Sequence, residues 1–182
     1  MKERLDILLV NRGYAQSREK AKAIIMAGNV YVNGQKEDKA GTMFDESKIT
    51  LEVRGSTLKY VSRGGLKLEK ALKVFPIVTH ETVCADCGAS TGGFTDVLLK
   101  NGAAKVYAVD SGTDQLHPSL KENDCVVSLE NVNARFLDES MVPICPLVVM
   151  DVSFISQGKL YSAVSKVLKE EGVFISLIKP QF

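Results

Sequence analysis

Asp86-Cys87-Gly88-Ala89-Ser90-Thr91-Gly92-Gly93 is the stretch on which the fold is decided. Residues 82–86 form a short apolar run of strand length, and residues 94–101 carry helical spacing and stop at Gly102. A strand, a glycine-rich turn and a helix therefore follow one another directly. The alternation continues outward from there. Residues 105–110 read as a strand, a helix lies near 115–122, and 126–129 and 147–151 read as the third and fourth strands. A helix over 159–170 leads to a fifth strand over 173–178. Upstream, 65–75 is helical with Leu68, Leu72 and Phe75 at core spacing, while Lys67 falls off that face. Strands that are apolar nearly throughout and alternate with helices predict an α/β fold with a parallel sheet covered on both faces.

Such sheets bind ligands beyond the carboxyl ends of their strands. Glycines let a backbone turn tightly and approach a ligand, and a helix start offers free N–H groups to an anionic group. The spacing here is G-x-x-x-G-G, which differs from the dinucleotide-binding G-x-G-x-x-G. Asp110 closes the second strand, where a ribose diol would lie. A ribose without an adjoining pyrophosphate is what S-adenosylmethionine presents. The expected cofactor contacts are therefore Asp86, Gly88, Ala89, Ser90, Thr91, Gly92, Gly93 and Asp110. The competing reading is a tight turn with packing glycines and no ligand.

Three residues narrow the chemistry: Lys67 in Ser62-Arg63-Gly64-Gly65-Leu66-Lys67-Leu68, Asp151 in Asp151-Val152-Ser153-Phe154, and Lys179 in Ile178-Lys179-Pro180-Gln181-Phe182. Asp151 and Lys179 end the fourth and fifth strands, at the ligand edge. A ribose 2′-hydroxyl is a poor nucleophile at neutral pH, so methyl transfer to it wants a base and a cation for the developing alkoxide. A Lys desolvated beside another Lys supplies such a base, and an Asp between them orients both.

The chain's first part has a different character. The 182 residues carry a net charge of +1, but residues 1–75 hold 15 Lys and Arg against 9 Asp and Glu, and the remainder 8 against 13. A basic segment joined to an acidic one suggests that the first part meets a polyanion. Residues 4–11 read as a short helix, and Ser17 caps a second one with Ala21, Ile24 and Ile25 on its buried face and a stop at Gly28. Val30-Tyr31-Val32 runs into Asn33-Gly34, a hairpin signal, and 49–53 offers a further strand. Arg18 and Lys22 share one helix face.

The four cysteines lie in apolar or strand-like surroundings, which suits reduced thiols in a cytoplasm. Cys84 and Cys87 have CxxC spacing, but strand geometry sends their side chains to opposite faces and no second pair completes a metal site. No apolar run is long enough to span a membrane, and no signal-peptide core is present.

Two short helices followed by Val30-Tyr31-Val32-Asn33-Gly34, with Arg4-Leu5-Asp6 and Ser17-Arg18-Glu19, resemble the S-four-type RNA-binding module over residues 4 to about 53. That resemblance implies phosphate contacts from Arg4, Arg18 and Lys22, to which Arg63 is added; the alternative is that some of these charges only cap helices or pair with Asp6 and Glu19. Tyr60 to Leu68, Asp86 to Gly93, Asp151 to Phe154 and Lys179 to Phe182 together resemble the TlyA family. Its members join such a module to an FtsJ-like 2′-O-methyltransferase domain of Rossmann-like fold. The resemblance implies 2′-O-methylation of cytidine in ribosomal RNA, with ribosomal subunits as partners, S-adenosylmethionine as cofactor and no metal. It further implies a Lys-Asp-Lys-Glu tetrad whose first three members are Lys67, Asp151 and Lys179, with Lys179 as base, and it puts Asn133 against the adenine.

The expected organisation is an RNA-binding module over 1–56, a linker over 57–64, and the methyltransferase domain over 65–182. The tetrad's Glu and the last strands of such a sheet fall beyond Phe182, which leaves the fifth strand an apolar edge prone to self-association. Two other function classes compete: a non-catalytic RNA-binding or assembly module, and a membrane-active haemolysin, a label some family members carry.

Overall fold

The computed structural model describes residues 2–55 and 59–181. The chain divides into two compact units, Met1–Thr57 and Leu58–Phe182.

In the first unit, β1 (Lys2–Arg4) leads directly into α1 (Leu5–Asn11). α2 (Arg18–Met26) begins as expected at Ser17, whose side chain accepts from the Lys20 N–H. β2 (Val30–Val32) and β3 (Gln35–Lys36) form the expected hairpin. Asn33 and Gly34 both have positive φ, 51° and 80°, the combination a two-residue hairpin turn needs. β4 (Met43–Asp45) pairs antiparallel with β1, and β5 (Leu51–Val53) pairs antiparallel with β2. Leu5, Leu9, Ala21, Ile25, Val30, Val32 and Leu51 close the core of this unit.

The second unit starts its regular structure with α3 (Gly65–Val74). Of the expected linker 57–64, Thr57 and Leu58 lie outside the described residues. From Lys59 onward the chain is already packed: Tyr60 is buried against Leu68 and Phe94, and the Val61 N–H donates to Asp96. The sheet consists of β6 (Val83–Cys87), β7 (Lys105–Val109), β8 (Val126–Leu129), β9 (Cys145–Met150) and β10 (Leu168–Ser176). Its order is β10-β9-β6-β7-β8 and every pairing is parallel. α4 (Gly93–Lys100) and α3 cover one face, where Cys84, Leu147 and Val149 point. α6 (Tyr161–Val167) covers the other with Ala85, Cys87, Val148 and Met150. Cys84 and Cys87 thus lie in different cores on opposite sides of the sheet, as strand alternation requires.

The chain runs from β6 outward through β7 to β8, then returns to the other side of β6 for β9. The topological switch point, where open α/β sheets bind ligands, therefore lies at the carboxyl ends of β6 and β9.

Four expectations are corrected. The helix expected over 159–170 stops at Val167, because Leu168 pairs with Cys145 and begins β10. β10 ends at Ser176 rather than 178, and its register shifts between Leu168 and Val173, where Glu171 has φ 61°. The helix near 115–122 shrinks to α5 (Pro118–Lys121), opened by Pro118 and by the His117 ring accepting from the Ser119 N–H. Phe75, expected in the core, lies past the end of α3 and is largely exposed.

Candidate active site

β6 delivers the glycine-rich turn to the switch point. Gly88 has φ +79°, and a Cβ there would sit 2.6 Å from the Asp151 carbonyl oxygen at the end of β9. The absence of a side chain is what lets the two strand ends close on each other. Gly92, at φ +100°, opens α4 with its bare face against Leu116 and Leu120. The Gly88 and Ala89 N–H groups both donate to the Val109 carbonyl, which fastens the turn to β7.

Asp110, one residue beyond β7, holds two loops at once. Its carboxylate accepts from the Ser90 N–H at 2.7 Å and from the Gly112 N–H at 2.7 Å. It lines a small cleft with Ala89, Ser90 and Leu129. Asp86 lies beneath the turn, fully buried. One of its oxygens accepts from Thr95 Oγ1 at 2.7 Å, and Oδ1 has no partner among the described residues. Burial pushes the Asp86 carboxyl up to about 7; the Thr95 hydrogen bonds oppose this, and the nearby Asp151 and Asp110 carboxylates add to it.

A pH dependence follows. With a folded pKa above the unfolded value, the stability Asp86 contributes is fully present below about pH 4, the usual carboxylate range. It is lost progressively as pH rises through about 7. The difference between the two pKa values corresponds to ~4 kcal/mol. Asp86→Asn keeps an acceptor for Thr95 and removes the titration. Thermal melts from pH 5 to 9 are expected to fall between pH 5 and 7 for the native chain, and this fall should vanish in the variant. Parallel curves for the two would contradict the assignment.

Asp151 follows β9 directly, its N–H donating to the Cys87 carbonyl. Its carboxylate stands between two ammonium groups: Lys67 Nζ lies 3.3 Å from Oδ2 and Lys179 Nζ 2.5 Å from Oδ1. The second contact is a close ion pair whose angles are off those of a hydrogen bond. Lys179 Nζ donates instead to Ser153 Oγ at 2.9 Å. α3, the residue that follows β9 and the segment after β10 each supply one member of this row.

A cavity of about 230 Å³ opens beside the row. Of the residues singled out in the sequence, Gly88, Ala89, Ser90, Thr91, Gly93, Asp151 and Lys179 line it. Lys67 joins through Asp151, Asp86 lies below, Gly92 packs against Leu116 and Leu120, and Asp110 belongs to the adjoining cleft. Asn133 lines neither cavity; its side chain accepts from the Arg135 N–H and caps the short 3₁₀ turn Ala134–Phe136. Arg63 is exposed in the turn that starts α3. Ser62, Gly64, Phe94 and Ser153 also line the cavity without having been picked out. Ser62 and Ser153 stand inside the quoted strings, and their nearness to Arg63 and Asp151 was the available signal. In the sequence Phe94 reads only as the first residue of a helix, and it is also buried in the core beneath α4.

In the first unit, Arg4 and Arg18 both pair with the buried Asp6. Lys22 has no ion-pair partner among the described residues. No helix among the described residues is long and apolar enough to cross a membrane.

A parallel sheet with a glycine-rich turn at its switch point, an acidic residue after the next strand and a Lys-Asp-Lys row at the cavity mouth places the second unit in the methyltransferase class. The comparisons agree. Residues 60–182 match the FtsJ-like methyltransferase family and residues 3–48 match the S4 domain, so the chain belongs to the FtsJ-like methyltransferase family and carries an S4 domain ahead of it.

It is 46% identical to a Bacillus subtilis (strain 168) protein assigned as an rRNA methyltransferase, covering all of this chain and 65% of that one. It is 42% identical to the 16S/23S rRNA (cytidine-2′-O)-methyltransferase TlyA of Mycobacterium tuberculosis, covering 98% of this chain and 67% of that one. The solved structure of a protein assigned as a hemolysin, from Streptococcus thermophilus, superposes with a TM-score of 0.71 at 45% identity, over 100% of this chain and 67% of the other. The chain thus spans about two thirds of the length of these relatives.

Proposed function

We propose that the second unit transfers a methyl group from S-adenosylmethionine to the 2′-hydroxyl of a cytidine in ribosomal RNA, and that the S4 domain holds the RNA. The observation that carries this reading is the row Lys67–Asp151–Lys179 at the mouth of a cavity cradled by the glycine-rich turn. The cavity suits the cofactor on three counts. A Cβ at Gly88 would close the turn onto the end of β9. Asp86 Oδ1 is a buried acceptor without a partner, and Asp110 marks the neighbouring cleft for a ribose diol.

Bound there, the cofactor supplies an electrophilic methyl carbon on a sulfonium. Lys179, once it has given a proton to solvent, would accept the ribose hydroxyl proton, so that the hydroxyl oxygen could take up the methyl group that the cofactor would supply. Asp151 fixes both lysines, so that Lys67 stays a cation near the developing alkoxide. Positioning of the two reactants supplies much of the rate in such an in-line displacement. Ribosomal subunits as partners and a cytoplasmic location belong to the same reading.

β10 is one of the two edges of the sheet among the described residues, with Val173 exposed on it, so self-association of this chain through that edge is part of the proposal. Sedimentation velocity is expected to show mass growing with concentration; a monomer throughout would remove this part alone. The function itself is tested by incubating the protein with ribosomal subunits and S-adenosylmethionine labelled on the methyl group. Label is expected in the RNA. Its absence, with cofactor binding intact, would refute the enzyme and leave an RNA-binding module.

A further inference from the structure

Among its described residues, the first unit shuts one charged side chain away from solvent. Asp6 is 0% exposed, on the first turn of α1. Burying a carboxylate is costly, and ion pairs of this kind stabilise folds little compared with apolar packing. Capping does not account for it either. The N–H groups of Leu5 and Asp6 already donate to the carbonyls of Thr42 and Ala40, and the hydrogen bonds recorded for the Asp6 carboxylate come from two guanidiniums. Arg4 donates through Nε at 3.0 Å and Nη2 at 3.2 Å. Arg18 donates through Nε at 3.3 Å and Nη2 at 3.0 Å. The Arg4 hydrogen bond leads in holding the Asp6 carboxyl down at about 2, so it is charged at any working pH.

Both arginines stay open to solvent, with side-chain exposures of 41% and 50%. A guanidinium has five N–H donors. Each of these spends two on Asp6, which leaves three on each without a partner among the described residues. The other arginine pairs of the unit, Arg12–Glu46 and Arg54–Glu52, have carboxylates about half exposed and show no such arrangement. Lys22, four residues after Arg18 on α2, adds a cation without an ion-pair partner among the described residues to the same helix face.

We propose that Asp6 is a positioning residue that locks Arg4 and Arg18 side by side as a rigid pair of forks for the phosphodiester backbone of RNA. The inference rests on the RNA-binding reading of the first unit. Planar, pre-oriented guanidiniums suit bidentate contact with phosphate oxygens, and a shared buried anchor removes the rotamer freedom they would otherwise lose on binding.

The sign of one substitution separates this from electrostatics alone. Asp6→Asn makes the unit one charge more positive, so a purely Coulombic account has RNA binding tighten. The positioning account has it weaken, about five- to tenfold, with the log–log salt dependence shallower by about one to two units as phosphate contacts are lost. Binding of the whole chain to a fluorescein-labelled ribosomal RNA fragment is read at several salt concentrations, with circular dichroism to confirm folding. Arg18→Lys is the second variant: it keeps the charge, leaves Asp6 in place and removes the fork, and is expected to show a comparable loss. Should Asp6→Asn fail to fold, Arg18→Lys decides. Unchanged or tighter binding by a folded Asp6→Asn chain, or by Arg18→Lys, overturns the positioning role. Arg4→Ala and Arg18→Ala test the underlying reading separately: if neither weakens binding, this face does not hold RNA at all.

Discussion

Replacing Lys179 with alanine is expected to lower methyl transfer by about a hundred- to ten-thousandfold in kcat, with the affinities for RNA and cofactor nearly unchanged. The ammonium group sits 2.5 Å from Asp151 Oδ1 and 2.9 Å from Ser153 Oγ on the wall of the cavity. A neutral lysine has two N–H bonds and one lone pair. Ser153 Oγ accepts one N–H, and Asp151 Oδ1 holds the nitrogen as an ion pair on the cavity wall, where the lone pair of a neutral Lys179 can face the substrate hydroxyl. Lys179→Arg discriminates further. Arginine keeps the charge and the salt bridge but does not give up its proton. If Lys179 acts as base, the arginine variant is as inactive as alanine. Substantial activity in Lys179→Arg would instead make residue 179 a plain electrostatic group. Lys67→Ala is expected to fall less far, since Lys67 reaches the cavity only through Asp151. Single-turnover rates at saturating RNA give the comparison.

The second large effect belongs to Gly88. An alanine there meets the Asp151 carbonyl oxygen at 2.6 Å and Val152 Cγ1 at 2.8 Å, with the backbone at φ +79°. The carbonyl cannot rotate away without lifting the end of β9, and Asp151 would carry both lysine contacts with it. Gly88→Ala is expected to cost ~2–4 kcal/mol and to abolish detectable methyl transfer. Gly13 provides the control. It has nearly the same φ, +77°, but nothing within 4 Å of a built Cβ. Its alanine variant meets only the left-handed backbone penalty, ~1–2 kcal/mol, and should retain activity. Equal losses in the two variants would show that backbone strain, rather than closure of the turn on β9, is what matters at Gly88.

Much of this site was legible because each element announced itself locally. β6, β7 and β9 are apolar runs that contrast with their flanks, and residues at strand ends converge once the sheet is parallel. Asp151 and Lys179 could therefore be placed together from the strand pattern, while Lys67, on α3, joined them through the tetrad that the family resemblance implies. The hairpin at Asn33-Gly34 and the cap at Ser17 were readable for the same reason, since each is fixed by its own side chain or φ.

What was missed depends on distant partners. Lys2-Glu3-Arg4 has no strand character and becomes β1 only by pairing with Met43–Asp45. Leu168-Lys169-Glu170 favours a helix locally, yet Leu168 is claimed by Cys145 across the sheet. Asn133 is a different case: it sits after the third strand as expected and caps its own 3₁₀ turn, a local contact, and the adenine contact expected of it stays a proposal. The pairing of Asp6 with both Arg4 and Arg18 was one of two options in the sequence; burial of Asp6 is what the structure added.

The central claim is that the row at the cavity mouth serves a hydroxyl acceptor. It is tested most directly by the chemical position of the transferred methyl. Ribosomal RNA methylated by the protein should be digested to nucleosides and resolved by mass spectrometry. The account predicts 2′-O-methylcytidine, lost in Lys179→Ala. A methyl on a base carbon or nitrogen, or 2′-O-methylation that survives in Lys179→Ala, would contradict it.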